Sequence, residues 1–341
     1  MVRCGASFEM TEEGSGFQPA GRCFPAACRT GMMGFLPVVE SRGLVAPPHP
    51  PLPMRTLILA AALLLSAAAL PAQPVSPLVY TDPPRDTAHP ARMEVLHIPS
   101  GEVRINGVAY LAAGAGAHPT LVLAHGLPGN EKNLDLAQAV RRAGWNAVTF
   151  NYRGSWGSPG SFRFAQNLED AAAVLAFLRD TANARRLGID AGRMVLAGHS
   201  MGGWVTALTA ARDRGLRGAI LISAADMGLV GAAPRPNVVQ LAAGNMESLA
   251  GVTAEQMADE LIANAAAWRM EGAAPGLAST PLLVFTSDDG LAPHSERLVS
   301  LVRAQGNRQA VAIHMDTDHG FSDHRIALQS EVIRWLQSLA P

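Results

Sequence analysis

The chain has 341 residues, 48% hydrophobic and 16% charged, and its 27 basic and 28 acidic side chains leave a formal charge of −1. So apolar a composition excludes intrinsic disorder, and so even a balance leaves no basic surface for nucleic acid, so no nucleic-acid partner is expected. Collagenous, coiled-coil, disulfide-scaffold and polytopic membrane classes are excluded too, leaving two domains or one large α/β domain.

The first 53 residues are rich in Gly, Pro and Met, contain all three cysteines (Cys4, Cys23 and Cys28) and show no sustained period of 2 or 3.6. Met54-Arg55-Thr56 then precedes residues 57–70, in which only Ser66 is polar, and Pro71-Ala72-Gln73-Pro74 follows. A positive start, a short apolar run and a small residue before a polar break describe a secretory signal peptide over 54–72, with cleavage after Ala69 or Ala72. Fourteen apolar-run residues fall short of the roughly 20 that a spanning helix needs. A signal peptide works at an N-terminus, so translation is expected to start at Met54, with residues 1–53 an upstream over-extension or a disordered tail. The expectation is an exported protein, periplasmic or secreted, with no stable membrane anchor after cleavage. The remaining 269 residues carry no cysteine and a charge of −2.

Residues 73–92 are Pro-rich and polar and read as a leader or linker. Residues 93–98 and 103–111 alternate partially and are joined by Ser100-Gly101, which predicts a hairpin. Thr120-Leu121-Val122-Leu123-Ala124 is apolar throughout, as a strand buried on both faces must be. A helix over 134–143, a strand over 147–150 and a long helix after residues 161–167, with Leu168, Ala172, Leu175 and Leu178 on one face, come next. Strands are expected at 193–197, 218–223, 281–286 and 310–315, and helices at 201–211, near 295–303 and from 325 to 339. Repeated β-α-β units with apolar strands predict an α/β domain over 93–341, a mostly parallel sheet with helices on both faces. Residues 226–280 contain no convincing strand. Thr253 and Gln256 there have capping-box spacing, and Met257, Leu261, Ala265 and Trp268 a helical stripe, so the segment reads as an inserted helical lid.

Gly198-His199-Ser200-Met201-Gly202 matches G-x-S-x-G, follows a predicted strand directly and precedes a predicted helix. In that context it predicts a nucleophile elbow, a strained turn that exposes Ser200 and needs glycine on both sides where strand and helix close in. The helix start also leaves free N–H groups, that of Met201 among them, beside the hydroxyl, where they can stabilise an oxyanion. A serine nucleophile needs a base, and the base an orienting acid. His319 follows the 310–315 strand, and Asp288 and Asp289 both follow the strand before it. His314, inside a strand, is expected to pack, and His324 to start the last helix. Serine, acid, histidine is the chain order that this architecture requires.

From about residue 95 onward the chain resembles the α/β-hydrolase superfamily. His125-Gly126-Leu127-Pro128-Gly129 is similar to the family's loop after the third strand, and Asn151-Tyr152-Arg153-Gly154 with Ser158-Pro159-Gly160 to its loop after the fourth. The resemblance implies that the backbone N–H groups of Leu127 and Met201 form the oxyanion hole. It favours Asp289, four residues before Pro293, over Asp288 as the acid, although Asp226 occupies a position that some members use. His125 and His199 then read as structural members of the loop and the elbow, and Arg153 as a brace.

The expected activity is that of a serine hydrolase cleaving a small-molecule carboxylic ester through an acyl-enzyme on Ser200, with Asp289 and His319 completing the triad. The alternatives are a peptidase of aminopeptidase or prolyl-oligopeptidase type, a thioesterase, and a non-catalytic binding protein on the same fold. A peptidase asks for an amine-binding acid, for which the lid offers Glu247 and Glu271, whereas Glu255, Asp259 and Glu260 look like a solvated helix face. No dinucleotide fingerprint, Walker motif or metal-ligand spacing is present in the sequence, and the proposed chemistry needs no cofactor and no metal.

Overall fold

The structure is a computed structural model that describes residues 75–339. The expectations for residues 1–53 and for the 54–72 export signal lie outside the described residues. In the stretch read as a leader, a 3-10 turn at Pro77–Val79 buries Val79 against Ala139 and Ile333. Arg142 fixes that turn by donating to the carbonyls of Leu78 and Val79 at 2.9 and 2.6 Å.

An antiparallel hairpin opens the sheet: β1 (Arg92–Ser100) pairs with β2 (Val103–Leu111), with Ser100 opposite Val103. Gly101 in the turn has φ +58°, a conformation that costs glycine nothing. Six strands follow: β3 (His118–Ala124), β4 (Asn146–Phe150), β5 (Ile189–His199), β6 (Gly218–Ile222), β7 (Leu282–Thr286) and β8 (Ala310–His314). The order across the sheet is β1-β2-β4-β3-β5-β6-β7-β8, and every pair from β4 to β8 is parallel. Strict alternation puts Leu121 and Leu123 of β3 into the core on one face and Val122 and Ala124 into the core on the other.

Helices cover both faces: α1 (Leu134–Arg142), α2 (Phe164–Arg179), α3 (Thr181–Leu187), α4 (Met201–Ala210), α5 (Met227–Gly231), α6 (Arg235–Ala243), α7 (Ala254–Asn264), α8 (Ala292–Ala304) and α9 (Arg325–Ser338). The mostly parallel α/β architecture is as expected. Between β6 and β7 come α5, α6, α7 and a 3-10 turn at Met270–Ala273, with no strand of the sheet. Thr253 and Gln256 form the reciprocal capping box of α7.

Three local expectations fail, each because side chains from other elements decide burial. On α2 the core face is Phe164, Asn167, Asp170, Ala171, Val174, Leu175 and Leu178, while Leu168 is half-buried and Ala172 exposed. Asp170 is drawn inward by Arg153 and Ser100, which rotates the buried face away from the apolar stripe. His314 is exposed rather than packed, because β8 is the edge strand. Glu260 is no idle solvated side chain: its carboxylate accepts from the N–H groups of Phe164 and Ala165 at 3.0 and 2.8 Å, capping α2 from another helix. The short α3 was not foreseen; Asp180 caps it through Ala182 and Asn183, and Gly188, at φ +62°, ends it.

The chain leaves β3 for β4 on one side and reaches β5 on the other. Loops beyond the carboxyl ends of β3 and β5 therefore diverge, opening a crevice where parallel sheets bind ligands. Ala124 and Gly198 are level across that pair, so Gly126 and Ser200 emerge side by side.

Candidate active site

Ser200 sits at the end of β5 and caps α4 with φ +57° and ψ −123°, a conformation that a serine holds only when its surroundings impose it. They do so through close backbone approach. A Cβ on Gly198 would overlap the carbonyl of Gly202, and one on Gly202 would overlap that of Ala124. Gly126 is also close on the β3 side, where a Cβ would come 2.9 Å from that of Ser200. The Ser200 N–H donates to the Ile222 carbonyl of β6 at 2.9 Å, and its carbonyl accepts from Gly203 and Ala225. Both ends of the turn are fixed, so the backbone that carries the hydroxyl is held in place.

A cleft of about 200 Å³ is lined by Ser200, His319, Gly126, Leu127, Asn130 and Glu131, among others. Met201 opens α4, so its N–H has no carbonyl one turn earlier to bond and stands beside the serine. Leu127 lies in the cleft wall on the opposite strand's loop. His319, on the loop after β8, donates its Nδ1–H to Oδ2 of Asp289 at 2.6 Å. A carboxylate only accepts, so this bond places a proton on Nδ1 and turns Nε2 away from Asp289. The five residues expected at the site thus come from the loops after β3, β5, β7 and β8.

The competing acids are elsewhere. Asp288 is exposed and faces His314, whose Nε2 is 3.2 Å from its carboxylate. Asp226 is buried at the start of α5, where it accepts from Gly228 and Leu229, and its second oxygen accepts from the Met270 N–H at 3.1 Å. Asp226 thereby joins the two ends of the helical insertion and does not face His319.

A family model described as the alpha/beta hydrolase family matches residues 121–330. The chain belongs to that family. As an alpha/beta hydrolase it shares its fold with solved esterases. One from Pyrobaculum calidifontis is 24% identical, with a TM-score of 0.55 over 74% of this chain and 87% of that one. EstE1, a thermostable carboxylesterase cloned from a metagenomic library, is 22% identical, with a TM-score of 0.55 over 74% and 91%. An acylaminoacyl peptidase of Pyrococcus horikoshii is 16% identical, with a TM-score of 0.58 over 72% of this chain and 41% of that one. No curated protein sequence matches the chain.

The electrostatics of this alpha/beta hydrolase's cleft rest on groups held in one charge state. Burial disfavours the Asp289 carboxylate, but the His319 hydrogen bond, the Leu291 N–H and the Ser223 hydroxyl outweigh it and hold its pKa below the ordinary value. Asp289 therefore stays ionised at neutral pH. His199 lies with its ring 4.6 Å from that of His319 and donates its Nε2–H to the His319 carbonyl at 2.8 Å. Burial, then the nearby His319, push the His199 pKa down to about 4. A neutral ring can brace the His319 loop without repelling an imidazolium there. His125 is likewise pushed to about 4, by burial above all, and its Nδ1–H donates to the Gly126 carbonyl. Both histidines are structural, as expected.

Arg153 braces the loop after β4. Its Nε donates to Asp170 Oδ1 at 2.6 Å, its N–H to Oδ2 at 2.8 Å, and Ser100 donates to the same carboxylate.

Sequence reasoning missed three supports. Ser223, at φ +39°, lies 2.7 Å from Ser287 and helps hold Asp289 ionised. The indole N–H of Trp156 and the hydroxyl of Ser248 both donate to the Pro128 carbonyl, at 2.7 and 2.9 Å. The loop carrying Leu127 is therefore tied to the helical insertion. No spacing rule marks any of the three, because each partner lies 28 to 120 residues away.

Asp288, His314 and Asp316 also gather, with ligand atoms within 4.8 Å of one another, although the sequence showed no such spacing. All three are exposed, and exposed carboxylates around a histidine are ordinary ion-pair partners.

Proposed function

We propose that the protein is an exported serine hydrolase that cleaves a small-molecule carboxylic ester. The observation that carries this reading is the His319–Asp289 pair, at 2.6 Å, facing the same cleft as a serine held at φ +57°. His319 Nε2 takes the Ser200 proton as Oγ attacks the carbonyl carbon, and Asp289 holds the resulting imidazolium. The tetrahedral oxyanion accepts from the Leu127 and Met201 N–H groups, which stabilise the charge as it develops. Collapse breaks the ester C–O bond, and His319 returns its proton to the leaving alcohol. Water, deprotonated by His319, then attacks the acyl-enzyme, releasing the carboxylic acid and restoring Ser200.

The small cleft favours a short acyl group, so the test uses a short-chain aryl ester. The wild-type chain is expected to turn it over and Ser200→Ala to lose the activity; equal rates in both would sink the proposal. A peptidase is the second reading, favoured by Glu247, which accepts from Asn130 of the cleft wall at 2.8 Å and supplies a carboxylate for a substrate ammonium. Faster cleavage of aminoacyl anilides than of matched esters would select it. Export rests on the pattern of residues 54–72. Mass spectrometry of the native protein is expected to find an N-terminus just after Ala69 or Ala72, and a peptide from residues 1–53 would contradict it.

A further inference from the structure

The loop that carries Leu127 has no backbone pairing of its own. β3 stops at Ala124, and from Gly126 to Asn130 no backbone N–H or carbonyl bonds to another backbone group among the described residues. Pro128 brings no N–H to the loop, and the Leu127 N–H donates to nothing among the described residues. Such a segment keeps one conformation only if side chains bind its polar groups. Tyr152 donates its hydroxyl to the His125 carbonyl at 3.2 Å, just before the loop. Within the loop the Pro128 carbonyl takes two donors, the Trp156 indole N–H at 2.7 Å and the Ser248 hydroxyl at 2.9 Å. A proline ring locks φ, so anchoring the Pro128 carbonyl also restrains the Leu127 backbone beside it.

Trp156 is not held by burial. It is 37% exposed and belongs to none of the hydrophobic clusters. Its φ of +48° is a left-handed conformation that a tryptophan keeps only where its neighbours impose it. Three neighbours do. The Trp156 N–H donates to the Ser248 carbonyl at 3.0 Å, and its carbonyl accepts from the Asn151 side-chain amide at 3.2 Å. Lys132, the only lysine of the chain, stands over the ring at 4.1 Å from its centroid. It also donates to Oδ1 of Asn151 at 3.1 Å. An ammonium is attracted to the face of an indole and so fixes the ring plane. Backbone and ring are both clamped, and the indole N–H is delivered to Pro128. Backbone strain of this kind gathers where geometry serves function, and packing gives this one no other reason.

We propose that Trp156 is a positioning residue for the oxyanion hole: by holding the Pro128 carbonyl, its indole N–H sets the direction of the Leu127 N–H. The inference rests on the Ser200 reading of the site, in which the Leu127 N–H meets the developing oxyanion. Trp156 itself touches no reacting atom. It acts by fixing a donor before the reaction, so that no reorganisation is needed as charge appears. Its loss therefore falls on the transition state and leaves substrate binding unchanged.

The test is steady-state kinetics of the full chain on the short-chain aryl ester, with inhibition by butylboronic acid measured beside it. The boron bonds to Ser200 Oγ and one boronate oxygen stands where the oxyanion would, so the affinity of this transition-state analogue reads the hole directly. Trp156→Phe keeps a ring under Lys132 and removes the N–H. It is expected to lower kcat about tenfold and weaken the boronate by a similar factor, with KM within about twofold; the loss is smaller than the roughly 10²–10³ for deleting a donor outright, because Leu127 is loosened and not removed. Lys132→Met releases the ring while keeping the indole, so it gives the same readout should Trp156→Phe fail to fold. It is expected to lower kcat and boronate affinity together, by a smaller factor. Wild-type kcat in folded Trp156→Phe overturns the proposal. So does a lower kcat with unchanged boronate affinity, which would make Trp156 a support of the fold alone. An ester rate that Ser200→Ala leaves intact would remove the Ser200 reading and this inference with it. Activity lost in Ser200→Ala but kept in Trp156→Phe removes the inference alone.

Discussion

Two adjacent aspartates follow β7, and one peptide unit decides their fates. Asp289 turns under His319 with its side chain 6% exposed, while Asp288 points outward to His314. Loss of charge at the first leaves the imidazole without its orienting partner, and loss at the second does not. Asp289→Asn is expected to lower kcat by about 10³–10⁴-fold on the aryl ester, with Asp288→Asn within a few-fold of wild type; steady-state kinetics on both checks it. The motif residues were legible in the sequence because the elbow is local: Gly198, Ser200 and Gly202 lie within one turn of chain. The preference for Asp289 over Asp288 came from the family resemblance and not from any pattern, since successive side chains in a loop point in directions that no periodicity sets. Ser223 escaped notice for a related reason. Its contribution depends on β6 and β7 lying side by side, which brings it to Ser287 and Asp289.

At the scale of elements, strands and long helices could be read from apolar runs and 3.6-residue spacing, and the capping box of α7 from two residues alone. The inserted helices depend on contacts that cross the chain. Asp226 caps α5 and also receives the Met270 N–H, and Arg269 approaches the same carboxylate at 3.4 Å. Asp226→Ala removes a cap and strands a buried N–H, and is expected to destabilise the chain by about 2–4 kcal/mol in urea unfolding. The insertion reaches the loop beside Ser200 through Ser248, and that loop also receives the Trp156 indole, so packing of the insertion and geometry of the cleft are coupled. Glu260 makes the same point: a residue that looks like surface charge on its own helix is the cap of another.

Across the whole molecule, buried histidines set the acid limit. His125 and His199 have folded-state pKa values of about 4, lowered from 6.5 chiefly by burial. The unfolded chain therefore binds more protons than the folded one between those values, and stability falls as pH drops from about 6.5 toward 4. Each histidine contributes on the order of 3 kcal/mol to that loss. Asp289, with its pKa lowered, acts only below its ordinary value of 3.8 and leaves this window unchanged. His199→Gln, which keeps a donor for the His319 carbonyl, is expected to flatten the slope between pH 7 and 4.5. Urea unfolding of both proteins across that range tests it, and parallel slopes would refute it.

By itself the sequence determined the fold class, the elbow at Ser200 and the order serine, acid, histidine, because hydrophobic period and turn chemistry are properties of neighbouring residues. Only the tertiary structure decided which face of α2 enters the core, how the insertion holds the loop of Leu127, and how Asp289 reaches His319 while Asp288 turns to His314. Those outcomes depend on residues far apart in the chain being brought within a few ångströms by strand order and helix packing, and no local pattern encodes that distance.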